Sequence, residues 1–253
     1  MDETEELIGL SGKANLAQMG EVPGFELYMI KNCVLALTGE PLADFNLMTL
    51  GPNPDVERFF LRSIARAKDR GLPLVAIMSP HVAKALAPAA ATLGLIPAGT
   101  VPLMVLRANT QVAAGRSVKV TRVLNPDLIT AAGDLVAAAF DTPRDVIARC
   151  MDVCITPTSG LETYIALGDD GPVSVVTLTP AGDTAGISAM ATLPSHQGQG
   201  FGRALLSQVI ADHRGKGITR FHLSATPAGL PLYAGLGFET IADLSAWVLN
   251  VSN

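Results

Sequence analysis

The hydrophobic and polar positions in the second half of the chain alternate between strand-like and helix-like patterns. An apolar run that ends at Pro194 predicts a strand, a glycine-rich loop follows it, and helical apolar spacing begins at Arg203. Further strands are predicted at 118–123, 162–167, 173–178, 185–193, 219–224 and 246–249, with helices over 125–139, from 142, and over 229–238. This pattern is typical of an α/β protein.

The first half has a similar order of elements. Strands are predicted at 33–37, 44–50, within 70–80 and at 101–106, with an amphipathic helix over 54–70 and an Ala-rich helix after Pro80. Four features recur in the second half: Gly71 and Gly217, Pro80 and Pro227, the Leu-Gly pairs at 93–94 and 236–237, and Val-Leu at 105–106 and 248–249. We interpret the chain as two copies joined by a polar linker at 108–117; the alternative is two unrelated α/β segments.

Composition and charge restrict the class of protein. The chain has 253 residues, of which 49% are hydrophobic, and a net charge of −5, which suits two ordinary globular domains or one large one. The apolar stretch 85–95 is too short to cross a bilayer, and the acidic start of the chain differs from a signal peptide. Lys and Arg do not cluster as they do in nucleic-acid-binding proteins. We expect a cytoplasmic monomer or homodimer that binds neither nucleic acid nor membrane.

The cysteines and histidines do not indicate a metal site or a hydrolase site. Cys150 and Cys154 lie one helical turn apart, but the histidines at 81, 196, 213 and 222 lack ligand spacing. We interpret these two cysteines and Cys33 as reduced thiols and expect no metal. Ser195 and His196 are neighbours in sequence, which does not make them a nucleophile and its base. His196 is either a ligand contact or a solvated loop residue.

The glycine-rich loop predicts an anion site. Gly198, Gly200 and Gly202 permit sharp turns and expose backbone N–H groups, and the helix that follows directs its positive end to the same place. A dinucleotide fingerprint would need glycine at 203, where the chain has Arg. A P-loop would need Gly-Lys-Ser/Thr, but the two Gly-Lys pairs are followed by Ala14 and Gly217. Both nucleotide motifs are therefore excluded.

The remaining pattern, Gln197-x-x-Gly200-x-Gly202, resembles the Q/R-x-x-G-x-G/A pyrophosphate loop of the GNAT superfamily of acyl-CoA N-acyltransferases. Leu232-Tyr233 followed by Leu236-Gly237-Phe238 is similar to the L-Y-x-x-x-G-F signature of that family. The resemblance covers residues 118–250. It implies an α/β fold with two tandem GNAT-like domains, each a mixed central β-sheet flanked by helices: a degenerate copy at 1–110 and a catalytic domain at 118–253.

The first copy lacks the residues for the chemistry. Its counterpart of the glycine loop, 51–55, contains two prolines, which have no N–H to donate to a pyrophosphate. Ala90 stands where the second copy has Tyr233. We expect the first copy to support the active half, to help shape the acceptor pocket, or to mimic a dimer partner.

The resemblance also implies which residues form the site. Tyr233 is the expected catalytic residue, stabilising and protonating the departing thiolate, while a strand N–H near Thr192 would hold the oxyanion. Glu162 is a candidate base, with Asp141 or bulk water as alternatives, and Phe140 and Asp141 are expected beside the acceptor. The expected cofactor contacts are Met190, Ala191, Thr192, Leu193, Gln197, Gly198, Gln199, Gly200, Phe201, Gly202, Arg203, Thr226 and Gly229.

The implied function is an N-acetyltransferase that passes the acetyl group of acetyl-CoA, its cosubstrate, directly to a primary amine. The alternative is a non-catalytic acyl-CoA-binding sensor or interaction module that kept the fold. The acceptor stays open among polyamines, amino acids, aminoglycoside-like amines and protein N-termini, and the acyl group could be larger than acetyl.

Overall fold

The computed structural model describes residues 2–19, 24–113, 115–152 and 160–251. The chain divides into two compact units, Met1–Leu103 with Thr240–Asn253, and Met104–Glu239. The helices are α1 (Glu3–Met19), α2 (Val56–Asp69), α3 (Pro80–Thr92), α4 (Pro126–Phe140), α5 (Arg144–Ile147), α6 (Phe201–Arg214) and α7 (Leu230–Gly235). The strands are β1 (Glu26–Ile30), β2 (Cys33–Leu37), β3 (Asn46–Leu50), β4 (Leu74–Met78), β5 (Leu95–Leu106), β6 (Lys119–Arg122), β7 (Glu162–Gly168), β8 (Gly171–Ala181), β9 (Thr184–Thr192), β10 (Arg220–Ser224) and β11 (Glu239–Leu249). Short 3₁₀ helices occupy Ala43–Phe45 and Pro194–His196, and a π-helical turn, Ala148–Asp152, follows α5.

The first unit contains a mixed sheet with the strand order β1-β2-β3-β4-β11. β3 and β4 are parallel and are joined by α2, while the other neighbouring strands are antiparallel. Phe60, Ile64 and Ala67 are buried at helical spacing, so α2 presents one apolar face to the core. All residues of β2 are buried, as expected for a strand whose two faces are both covered, and α1 and α2 both contact it.

The second unit contains a mixed sheet with the strand order β10-β9-β8-β7-β6. β9 and β10 are parallel and are joined by α6, and the other pairs are antiparallel. α6 buries Leu205, Val209 and neighbouring apolar residues in the core of this unit. α4 begins at a cap in which the Asn125 side chain accepts a hydrogen bond from the Leu128 N–H at 2.9 Å.

Both units repeat one order of elements, as the sequence pattern predicts. A helix joins two parallel strands and a second helix follows, giving β3-α2-β4-α3 in the first unit and β9-α6-β10-α7 in the second. The strand predicted at 44–50 begins at Asn46, because the 3₁₀ turn precedes it. The segment 229–238, predicted as a helix with its glycine stop, forms α7, and Gly237, with a φ of 91°, lies in the left-handed region just beyond the end of the helix.

Two features differ from the sequence prediction. The pattern does not predict α1, because the apolar residues of this segment do not gather in one helical stripe. β11, which the predicted domain 118–253 includes, pairs with β4 of the first unit, from Ser245 opposite Met78 to Leu249 opposite Leu74. Position along the chain does not determine which sheet edge a strand joins.

The described residues contain no helix long and apolar enough to cross a membrane.

The loop between β3 and α2 satisfies its own polar groups. The Gly51 N–H donates to the Asn32 carbonyl oxygen at 3.0 Å, and Asn53 Oδ1 accepts from the Asp55 N–H at 2.8 Å. Asn53 Nδ2 donates to the Ile30 carbonyl oxygen at 3.2 Å. Since Pro52 and Pro54 have no N–H, the loop has few donors left for an anion. This agrees with the interpretation of the first copy as degenerate.

Candidate functional site

The candidate site lies where β9 and β10 separate. The two strands pair at Ala185 with Phe221 and at Gly186 with His222. β9 then continues to Thr192 and β10 to Ser224, and no further pair joins them in the described residues. The strands therefore diverge at their carboxyl ends, which is the edge of a parallel pair where ligands commonly bind.

A β-bulge on β9 lies beside this opening. Val175 is opposite Ala191 but Thr177 is opposite Ser188, so β9 has one extra residue between these pairs. Ala189 has a φ of 48°, a left-handed conformation that residues other than glycine seldom adopt. Bulges redirect backbone groups and are common next to active sites. No local sequence signal predicts this bulge, because alanine has no preference for the left-handed region.

Side chains tie the end of β9 to the loop that follows. Ser174 Oγ lies 2.8 Å from Thr192 Oγ1, and Gln197 Nε2 donates to the Thr192 carbonyl oxygen at 3.1 Å. The Leu193 N–H donates to the Val173 carbonyl oxygen at 2.9 Å. The sequence prediction misses Ser174, because a single serine in a buried strand carries no motif.

The loop itself has the geometry of a backbone anion cradle. Gly198 and Gly200 have φ values of 73° and 84°, which glycine adopts without a steric penalty. Gly202 brings the first turn of α6 against β9, since a Cβ there would lie 2.9 Å from Met190 Cε. The first hydrogen bond of α6 joins the Ala204 N–H to the Gly200 carbonyl oxygen at 3.0 Å. The N–H groups of the turn before it therefore have no acceptor within the helix.

The polar side chains of the loop bond to the protein itself. Gln199 Nε2 donates to the Ser195 carbonyl oxygen at 2.9 Å, and the Arg203 guanidinium donates to the Gly235 carbonyl oxygen at the end of α7. The Phe201 ring is buried. Because these side chains are occupied, the loop offers a ligand mainly its backbone N–H groups.

Tyr233 lies on α7 with 8% of its surface exposed. Burial raises the pKa of its hydroxyl to about 12, so the hydroxyl is protonated at neutral pH. Its ring packs edge to face on Phe238 with centroids 5.8 Å apart, and a Cβ at Gly229 would lie 2.9 Å from the ring. Thr226 Oγ1 accepts a hydrogen bond from the Gly229 N–H at 3.2 Å. Thr226 and Gly229 thus shape the start of α7.

Glu162 is not brought together with the loop. Its carboxylate accepts a hydrogen bond from the Tyr164 hydroxyl at 2.5 Å and lies 3.1 Å from His213 Nε2, in the last turn of α6. Lys216 and Arg122 approach it at 3.6 and 3.8 Å. α6 begins at the loop and has 14 residues, so at about 1.5 Å per residue its length separates Glu162 from the loop by roughly 18 Å.

The remaining predicted residues lie at loop and helix ends. Phe140, the last residue of α4, is 49% exposed, and Asp141 ends that helix with a φ of 49°. Ser195 Oγ and His196 Nδ1 are 2.9 Å apart although the residues are neighbours in sequence. Among the described residues no carboxylate pairs with the His196 ring, so the orienting group of a hydrolase triad is not found there.

Two of the three cysteines predicted to be reduced thiols lie within the described residues. Cys33 and Cys150 are buried, and Cys154 lies outside the described residues. Within the ranges that the structure describes, no group of His, Cys, Asp and Glu side chains has the arrangement of a metal site.

A protein-family model matches this part of the chain. Residues 159–240 match the model described as an acetyltransferase (GNAT) domain. The chain carries a GNAT acetyltransferase domain. The match covers 82 of the 253 residues, about a third of the chain.

Solved structures extend the likeness to the whole chain. A GCN5-related N-acetyltransferase from Kribbella flavida is 17% identical with a TM-score of 0.70, covering 98% of this chain and 96% of that chain. A tandem GNAT protein from the clavulanic acid biosynthesis pathway is 14% identical with a TM-score of 0.62, covering 99% and 94%. At these identities the likeness shows the fold. The predicted fold class, an α/β protein with two tandem GNAT-like copies, is confirmed.

One curated relative matches over a short segment. Fifty residues are 47% identical to a protein named serotonin N-acetyltransferase 2, chloroplastic, from Oryza sativa subsp. japonica. The match spans 20% of this chain and 25% of the length of that relative.

Proposed function

We propose that this chain transfers the acetyl group of acetyl-CoA directly to a primary amine. The observation that carries the proposal is the backbone cradle from Gly198 to Gly202 at the start of α6, in the same unit as the buried hydroxyl of Tyr233. A pyrophosphate needs N–H donors at the positive end of a helix, and a departing thiolate needs a hydrogen-bond donor. The GNAT domain supports acetyl transfer in general.

The loop residues fit the pyrophosphate of CoA. Left-handed Gly198 and Gly200 turn the backbone so that N–H groups precede α6, and the first turn of α6 leaves its own donors without helical acceptors. The segment Met190–Leu193 borders the opening beside β10 and would hold the pantetheine arm. When bound, acetyl-CoA supplies an activated thioester carbonyl.

Tyr233 would act on the departing sulfur as a hydrogen-bond donor. Its pKa of about 12 exceeds the value near 8.5 that is usual for a thiol, so complete proton transfer from the phenol to a thiolate is unfavourable. This refines the role inferred from sequence: Tyr233 stabilises the thiolate, and solvent supplies the proton. A backbone N–H of β9 near Thr192 would hold the oxyanion.

Water would remove the proton of the amine. An alkyl ammonium has a pKa near 10 and must lose a proton before its nitrogen can attack a carbonyl carbon. The carboxylate of Glu162 is held by Tyr164 and His213, far along α6 from the loop. We therefore assign this step to water rather than to Glu162. The C–N bond then forms, the C–S bond breaks, and the amide nitrogen loses its second proton to solvent.

The proposal is tested by thiol release from acetyl-CoA with a panel of amines. The panel includes polyamines, amino acids, an aminoglycoside, peptides with free N-termini, and serotonin, because one relative is named for that amine. We expect thiol release that depends on the amine. If calorimetry shows that acetyl-CoA binds but no amine causes thiol release, the non-catalytic sensor is favoured. If acetyl-CoA does not bind at all, the assignment of the loop is refuted.

A further inference from the structure

The predicted linker lies along α6 in the structure. We call residues 107–113 and 115–116 the strap. At the end of α6, Arg214 donates one hydrogen bond to the Arg107 carbonyl oxygen and one to that of Thr110, both at 2.9 Å. Nearer its start, Ser207 Oγ lies 3.3 Å from the Ala113 carbonyl oxygen. The strap therefore follows the helix toward the glycine loop.

The strap ends against the first turn of α6. Gly115 packs so closely there that a Cβ on it would lie 2.6 Å from Ala204 Cα. The next residue, Arg116, donates from Nη1 to the Gln199 carbonyl oxygen at 3.3 Å. Its guanidinium carbon lies 4.2 Å from the centroid of the Phe201 ring, a cation–π contact. Two contacts thus hold this guanidinium beside the loop.

In the described part of the chain, Arg116 is the arginine whose guanidinium donates to the glycine loop itself. The motif position that takes Gln or Arg is the neutral Gln197, whose amide donates to the Thr192 carbonyl oxygen. The Arg203 guanidinium is bonded to the Gly235 carbonyl oxygen. Helix N-terminal N–H groups supply only about half a positive charge, whereas a pyrophosphate carries negative charge on each phosphate.

Arg116 has the capacity to supply that charge. A guanidinium has five N–H donors in a planar fork that suits phosphate oxygens. In the described part of the chain one hydrogen-bond acceptor is found for this fork, the Gln199 carbonyl oxygen. The side chain is exposed, so its other donors are accessible to a ligand.

We infer that Arg116 binds the phosphate groups of CoA and that the strap holds it in place for this purpose. The inference rests on the proposed function and adds to it a cofactor-binding residue from outside the glycine motif. Arg116 lies in the segment that the sequence pattern predicts to be a linker. The geometry therefore makes the segment between the two copies a part of the cofactor site.

The test is calorimetric titration of acetyl-CoA at about 50 and about 500 mM salt, where charge screening differs strongly. The variants are Arg116→Gln and a control with the same change in charge, Arg62→Gln, at an exposed position of α2. We expect Arg116→Gln to weaken binding about tenfold at low salt, the loss typical of one charged hydrogen bond. Its affinity should also change less with salt than that of the wild type, and Arg62→Gln should match the wild type.

Each other outcome overturns the inference in a recognisable way. Wild-type affinity in Arg116→Gln would show that Arg116 does not bind the cofactor. An equal loss at both salt concentrations would show that Arg116 only positions the strap. A wild-type chain that does not bind acetyl-CoA would refute the proposed function itself.

Discussion

Tyr233 and Glu162 are two titratable residues whose surroundings favour different protonation states and therefore different roles. Tyr233 is buried by Phe238 and Gly229 and keeps its proton, which suits a donor to a developing thiolate. Glu162 is surrounded by groups that donate to it or carry positive charge, which favours its ionised form and suits a structural carboxylate. A mutation at each residue should therefore change a different property.

Replacing Tyr233 with Phe should slow the chemical step without affecting the fold. The change removes the hydroxyl but keeps the ring against Phe238, so thermal stability and acetyl-CoA affinity should stay near wild type. We expect kcat to fall by about 10²- to 10³-fold, the range for removing one hydrogen-bond donor that stabilises developing charge. Tyr164→Phe, outside the site, is the matched control and should keep kcat. The kinetics must be measured under conditions in which chemistry limits the rate. If Tyr233→Phe then keeps the wild-type kcat, Tyr233 has only a packing role in the core.

Replacing Glu162 with Gln should reduce stability in a pH-dependent way. Burial raises the pKa of Glu162, but the hydrogen bonds from Tyr164 and His213 and the positive charges of Arg122 and Lys216 outweigh it and lower the pKa overall. A carboxyl whose pKa is lowered by folding stabilises the protein above its unfolded pKa of about 4.3 and loses this contribution as pH falls through its folded pKa. Urea unfolding should therefore show a deficit for Glu162→Gln at pH 7 that shrinks below about pH 4. A deficit that is constant from pH 7 to pH 3 would contradict this account.

The element that organises the candidate site is α6. Its start carries the cradle, its first turn contacts β9 through Gly202, and its last turn holds the strap through Arg214. A left-handed glycine stands at each end, Gly200 with a φ of 84° and Gly217 with a φ of 96°. The same strain can therefore be introduced at either end of one helix.

Replacing Gly200 with Val should weaken acetyl-CoA binding, and replacing Gly217 with Val should not. A branched residue in the left-handed region costs about 1–2 kcal/mol at either position, so unfolding should show similar losses of stability. At Gly200 the backbone must also turn away, which disturbs N–H donors to the pyrophosphate and should reduce affinity about 10- to 100-fold. Calorimetry with both variants separates the two effects. Equal affinities in the two variants would remove the loop from the cofactor site.

At the scale of the whole molecule, the last strand of the chain belongs to the first unit. β11 pairs with β4, and Leu249 is 2% exposed within the apolar core of that unit. Residues from the two ends of the sequence therefore share one hydrophobic core. The first unit cannot complete this sheet with residues of the N-terminal half alone.

Replacing Leu249 with Ala should destabilise the first unit. Removing a fully buried leucine side chain typically costs about 2–5 kcal/mol. We expect amide hydrogen exchange to become faster in β4, where Leu74 is opposite Leu249. Thr240→Ala, at an exposed position of the same strand, should leave exchange unchanged. Unaltered protection of β4 in Leu249→Ala would show that β11 contributes little to this sheet.

The sequence by itself determined what depends on neighbouring residues. Apolar spacing located most strands and helices to within a few residues, and Asn125-Pro126 marked the start of α4 because capping is a local interaction. The glycines of the loop and the L-Y-x-x-x-G-F pattern indicated the GNAT domain whose model matches residues 159–240, because glycine adopts the positive φ of Gly198 and Gly200 without a steric penalty.

Only the tertiary structure decided what depends on residues far apart in the chain. The extra residue at Ala189 appears only when β9 is set against β8, and the pairing of β11 with β4 joins segments that the sequence assigns to different copies. The sequence makes Glu162 a candidate base, and folding places its carboxylate beside His213, 51 positions later. Arg116 lay in a predicted linker, and folding brought it to Phe201 at the cradle. Such contacts form because packing excludes water between distant segments, and no local pattern records which segments will meet.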